Sequence, residues 1–177
     1  MQTWVALLRG INVGGNNLLP MQNLRVLLED IGLRNARTYI QSGNCVFESD
    51  ETDPEALSQQ ISDRIGLTFE FRPRVMVLTA QQLKRAVEKN PYPEAAMTPE
   101  FIHLYFLSQP AVDADLRVIQ ELKTPTEHIT ISKTVAYLYT PDGIGRSKLA
   151  SQLERHLKVD VTARNLRSAS KIAELAS

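Results

Sequence analysis

Between residues 9 and 17 the chain reads RGINVGGNN, which puts one guanidinium, three glycines and three carboxamides within nine positions. Glycine lets backbone N–H groups come close to a ligand, and Arg9 can hold a phosphate or carboxylate through paired, charge-assisted hydrogen bonds. A helix starting just downstream adds partial positive charge at the same place. The chemistry on offer is anion binding, with Arg9, Gly10, Asn12, Gly14, Gly15 and Asn16 as candidate residues. Neither the Lys-Ser/Thr of a phosphate-binding NTPase loop nor the G-x-G-x-x-G of a dinucleotide fold is present there. The same residues also suit a structural part, with asparagines in left-handed turns and Arg9 paired to a neighbouring carboxylate.

A second stretch of this kind is Gly143-Ile144-Gly145-Arg146-Ser147-Lys148, again ahead of a helical pattern. Ser147 can cap the helix while Arg146 or Lys148 neutralises a bound anion. From Ile144 to Lys171 there are seven basic residues (Arg146, Lys148, Arg155, Lys158, Arg164, Arg167, Lys171) against Glu154 and Asp160, the one strong charge asymmetry in the chain. Its structural counterpart is a solvated basic helix face. Arg164 and Asn165 join the candidate ligand-binding set.

Catalytic readings find less. An enzyme acting on a small polar substrate would use Arg9 to position it and the amides of Asn12 and Asn16 as donors, but neither loop carries a histidine or carboxylate as a general base. Cys45 lies in an apolar stretch, where a thiol is a small core residue. His103, His128 and His156 are far apart and form no metal motif, and no G-x-S-x-G elbow occurs. No cofactor is implied. A third reading is a homodimeric interaction module in which the loop is structural.

These loops need elements to hold them. Thr3 to Arg9 is an apolar run of strand length, expected to be covered on both faces. Pro20 suits the first turn of a helix with Met21, Leu24, Leu27, Leu28 and Ile31 on one face, ended by Gly32. Arg34 to Gln41 and Cys45 to Glu48 read as strands joined by a turn at Ser42, Gly43 and Asn44. Asp53 and Pro54 open a helix with Leu57, Ile61 and Ile65, expected to close at Gly66, and Phe71 to Thr79 is a strand whose Pro73 fits an edge or a strand start. Thr79 and Gln82 form a capping-box pattern for a helix through Leu83, Ala86 and Val87. Pro91, Pro93 and Pro99 mark a linker.

Beyond it the order repeats: a strand at Phe101 to Leu107, a helix with Leu116, Ile119 and Leu122, strands at Ile129 to Ser132 and Val135 to Thr140, and a helix with Leu149, Leu153 and Leu157. A short strand, Val159 to Thr162, and a helix from Asn165 complete the chain. The expected fold is α+β: two ferredoxin-like βαββαβ lobes in tandem with an extra C-terminal helix, the first over residues 1–80, a helix and linker over 81–99, and the second over 100–177. In this topology the loop after the first strand and the hairpin at Ser42 are expected at opposite ends of the lobe. Gln41, Ser42 and Asn44 are accordingly read as a satisfied tight turn, and Gly145 to Lys148 as the better companion for the Arg9 loop.

The strings ALLRGINVGGNN (Ala6 to Asn17), RTYIQSGN (Arg37 to Asn44), YTPDGIGRSKL (Tyr139 to Leu149) and TARN (Thr162 to Asn165) resemble a bacterial family of conserved domains of unknown function, number 1697. The resemblance runs nearly end to end and implies paired ferredoxin-like lobes, with no activity to carry over. The family's aromatic after the final Arg-Asn is Leu166 here, which removes a stacking ring from that position.

The chain has 177 residues, 43% hydrophobic and 23% charged, ordinary for a folded globular protein. Lys plus Arg equals Asp plus Glu at 20 each, so no global field draws it to nucleic acid or to an anionic membrane. Any attraction to a small anion or a nucleic-acid end must be local. One cysteine permits no internal disulfide, and the start MQTWVALLRG lacks signal-peptide features, so a cytoplasmic location is expected. The apolar runs are too short for a membrane helix.

Overall fold

The apolar run at the N-terminus forms strand β1 (Gln2–Arg9), and Trp4, Val5, Ala6, Leu7 and Leu8 are all buried, as expected of a strand covered on both faces. The computed structural model describes all 177 residues in two units, one of Met1–Arg85 with Ser170–Ser177 and one of Ala86–Ala169.

In the first unit β1 is followed by α1 (Met21–Asp30), β2 (Arg34–Tyr39), β3 (Asn44–Ser49), α2 (Pro54–Phe69) and β4 (Arg74–Thr79). The sheet order is β2-β3-β1-β4 and every pairing is antiparallel, which is the ferredoxin-like arrangement. Trp4, Ala6 and Leu8 on one face of β1 form a core with Leu24, Leu28, Leu57, Ile61 and Ile65 of the helices, and Cys45 lies wholly buried in it. Gly32, at a φ of +86°, ends α1: its N–H bonds the Glu29 carbonyl and the Leu33 N–H bonds that of Leu28, a Schellman closure.

Three local expectations are corrected. Helix α2 does not close at Gly66 but runs through it to Phe69, and Glu70 takes the left-handed cap instead. Gly66 is small for another reason, since a Cβ there would meet the Arg72 side chain at 2.6 Å. Asn44 is not a turn residue: it begins β3 and is fully buried. The turn is Ile40 to Gly43, shifted towards β2 because Ile40 itself has a positive φ of 49°.

Pro73 lies just before edge strand β4, where its missing N–H disturbs no ladder. Ser58 and Ser62, one turn apart on α2, donate to the carbonyls of Val75 and Pro73 and tie the helix along that edge. The capping box forms in full, Thr79 N–H to Gln82 Oε1 at 2.8 Å and Gln82 N–H to Thr79 Oγ1 at 3.0 Å, opening α3 (Ala80–Glu88).

The second unit repeats the topology. Strand β5 (Ile102–Leu107), α4 (Leu116–Leu122), β6 (His128–Ile131), β7 (Val135–Tyr139), α5 (Lys148–Leu157) and β8 (Val161–Asn165) build an antiparallel sheet of order β6-β7-β5-β8. The last strand lies further along than Val159 to Thr162, because the register that pairs Leu107 with Val161 carries on to His103 with Asn165. Its core joins Tyr105, Leu107, Ile119 and Leu138 to Leu149, Leu153 and Leu157. Asn165 then caps α6 (Leu166–Leu175) by accepting from the Ser168 N–H at 2.8 Å. No helix is long and apolar enough to cross a membrane.

Candidate functional site

The glycine- and asparagine-rich stretch is an ordered miniature hairpin. Val13 and Asn16 bridge as a strand pair across Gly14 and Gly15, both at positive φ, the geometry of a type I′ turn. Asn12 and Asn17 take left-handed backbone at the two feet, where the Asn12 N–H bonds the Asn17 carbonyl at 3.1 Å and Asn17 Nδ2 bonds the Gly10 carbonyl at 3.0 Å. The Asn12 carboxamide is occupied by backbone: its Nδ2 donates to the Leu19 carbonyl (2.9 Å) and the Gln41 carbonyl (2.7 Å), and its Oδ1 accepts from the Leu19 N–H (2.7 Å). Asn12 is therefore a clip, whereas Gly10, Gly14, Gly15 and Asn16 are exposed.

That clip overturns one expectation. The loop after β1 and the β2–β3 turn lie at the same end of the lobe, because α1 makes the return journey and β2 runs parallel to β1. Gly43 closes the contact, with its carbonyl accepting from the Leu8 N–H at 2.8 Å. A Cβ on Gly43 would stand 2.6 Å from Leu8 Cβ and 2.7 Å from Ile11 Cδ1. From the first position of β3, Asn44 holds the turn through its Nδ2, which donates to the Tyr39 carbonyl and Ser42 Oγ.

Charge at this end has one sign over a long stretch. Residues 1–28 and 31–47 contain no Asp or Glu; their ionised side chains are Arg9, Arg25, Arg34 and Arg37, of which Arg34 opens β2 at the opposite end of that strand from the β2–β3 turn. Arg9 is exposed and pairs in register with Arg74 of β4, and Arg25 donates to Thr38 Oγ1 at 2.6 Å. The loop delivers the chain to α1, whose N-cap is Pro20 and whose first turn has no side-chain acceptor and no acidic residue. Every other α-helix has one: Asp53 for α2, Thr79 for α3, Asp115 for α4, Ser147 for α5 and Asn165 for α6.

The second stretch is built differently. Ser147 does cap α5, accepting from the Ala150 N–H at 2.9 Å, but its hydroxyl also donates to the Glu127 carboxylate. Glu127 is buried and takes a further bond from the Thr124 N–H at 2.9 Å, while Thr126 Oγ1 donates to Asp142 at 2.7 Å. A protein carboxylate thus already stands at this helix entrance, with Arg146 and Lys148 exposed beside it. Arg164 Nη1 donates to the Ala163 carbonyl at 2.8 Å, and Asn165 is occupied as a cap. Nothing in the sequence around Glu127 marks it; only the chain path from α4 to β6 brings it to Ser147. The Arg9 and Ser147 entrances belong to different units.

Against known proteins, the sequence model of a family described as protein of unknown function, DUF1697, matches residues 1–137. The chain belongs to this family. The DUF1697 match takes in the Asn12 loop, the β2–β3 turn and the Glu127 loop, and ends ahead of Ser147. No curated protein matches the sequence. Among solved structures, that of conserved bacterial protein SP0830 from Streptococcus pneumoniae is similar over 99% of this chain and 99% of its own, with a TM-score of 0.77 and 22% sequence identity, a likeness of fold.

Proposed function

We propose that this DUF1697 protein binds an anionic ligand at the entrance of α1, with the exposed Arg9 supplying charge and the first-turn N–H groups supplying donors. The observation that carries this reading is the uncapped start of α1, the one α-helix without a side-chain acceptor, at the end of a segment free of carboxylates. The α5 entrance supports it less, since Glu127 fills the corresponding place there. A phosphate group is the simplest occupant, as on a nucleotide, a nucleic-acid end or a phosphorylated metabolite.

The test is calorimetric titration of the full chain with inorganic pyrophosphate. Arg9→Ala is expected to weaken binding about tenfold, in line with loss of one charge-assisted contact. Pro20→Asp places both an acceptor and a negative charge at the N-cap, so it is expected to abolish binding while raising stability by about 1 kcal/mol. Unchanged affinity in both variants, or no heat with the wild type, removes the α1 entrance as the site. An enzyme would need a general base near Arg9; residues 1–28 and 31–47 hold no carboxylate or histidine, and Glu70, exposed after α2, is the acidic residue that precedes Arg9's strand partner Arg74.

A further inference from the structure

Three branched aliphatic side chains stand in solvent at the end where Asn12 clips loop to hairpin: Val13 is 64% exposed, Leu18 62% and Ile40 49%. Each is Asn12's neighbour or lies next to a residue bonded to it, Leu18 beside Asn17 and Ile40 beside Gln41. Ile40 is held against its own preference, because its φ of 49° puts a β-branched residue in the left-handed region. That costs about 1–2 kcal/mol, which Gly or Asn would largely avoid. An exposed, strained isoleucine contributes nothing visible to the fold, whose core lies elsewhere, and strain of this kind concentrates at binding surfaces. Towards the clip, on the segments that build it, the charged side chains are Arg9, Arg25 and Arg37; Arg74 and Glu70 lie towards β4, the opposite edge of the sheet from β2.

We infer that the Val13–Leu18–Ile40 surface is a docking site for a protein segment that carries aliphatic or aromatic side chains flanked by carboxylates. The apolar side chains provide the burial and the arginines select the charge. The inference rests on the anion-binding reading of this end only for the acidic character of the partner; the apolar contact stands on separate residues. Interfaces of this type concentrate their energy in a few anchors, and Ile40 is the one whose presence the fold does not explain.

The test is selection of a random 12-residue peptide library displayed on phage against the full chain, followed by fluorescence anisotropy of the selected peptides with wild type and with the triple variant Val13→Ser, Leu18→Ser, Ile40→Asn. Enrichment of Asp or Glu together with Leu, Ile or Phe, and an affinity loss of at least about tenfold in a triple variant that melts no lower than wild type, is the expected result. Selected peptides that are basic or uncharged, or that bind the variant equally well, overturn it. So does wild-type binding to phosphatidylglycerol vesicles, or self-association in sedimentation, that the triple variant loses. Pyrophosphate binding retained by the triple variant while no peptide is selected sinks the docking site alone; peptide selection without pyrophosphate binding sinks the anion entrance alone.

Discussion

At the residue scale, two glycines of the same end differ in why they are glycine. Gly10 and Gly43 both have positive φ, but a Cβ on Gly10 meets nothing within 4 Å whereas one on Gly43 collides with Leu8 and Ile11. Gly10→Ala is therefore expected to cost about 1 kcal/mol, from backbone strain alone. Gly43→Ala adds overpacking against a buried strand and is expected to cost about 2–4 kcal/mol. Urea unfolding of the two variants measures the difference, and equal losses would mean that the Leu8–Gly43 contact yields freely. The sequence shows that Gly43 sits in a turn. That it also faces Leu8 depends on a contact 35 positions away, which no local pattern carries.

At the scale of elements, much was legible. Apolar spacing located the helices, Asp53-Pro54 and Thr79-Gln82 marked two helix starts, and the capping box formed as spelled. The misses have physical reasons. Gly66 looked like a stop because glycine commonly ends helices, yet Ile65 and Phe69 continue the buried face past it, and packing prevails over propensity. The placement of loop and hairpin at opposite ends neglected that a βα unit returns the chain, so that β2 runs parallel to β1. The Glu127–Ser147 pair was invisible, since neither residue stands out without the fold. Ser147→Ala removes the α5 cap and one donor to a buried carboxylate, with an expected loss of about 2–4 kcal/mol. In a double-mutant cycle with Glu127→Gln, a coupling of at least about 1 kcal/mol is expected. Additive losses would show that the two side chains act independently.

At the scale of the whole molecule, net charge near neutrality hides local structure. The chain has 20 acidic and 20 basic residues, yet its first 28 residues contain no acid at all. Two titrating groups, the half-buried His103 and the buried Tyr105, make stability depend on pH. Burial holds the His103 imidazole below its usual range, against a smaller opposing effect of a hydrogen bond with the Phe101 backbone, and its Nδ1 has no partner. The unfolded chain then takes up the proton first, so stability falls as pH drops through the ordinary value of 6.5. Burial, with a lesser contribution from Glu154, pushes the Tyr105 phenol up to about 12 from 10.0, so its contribution is complete below pH 10 and is lost between 10 and 12. Urea midpoints against pH are expected to plateau between these limits. His103→Gln is expected to flatten the acid limb, and an unaltered limb in that variant would assign it to other groups.

The proposed binding end is the α1 entrance, framed by the Asn12 loop and the β2–β3 turn. The most direct measurement is a two-dimensional amide NMR titration of the full chain with inorganic pyrophosphate. The predicted result is progressive, saturable shifts of the Met21, Gln22 and Asn23 amides and of Gly10, with Lys148 and Leu149 unmoved. Saturable shifts centred on Lys148 and Leu149, or none at Met21 to Asn23 at saturating pyrophosphate, would contradict it.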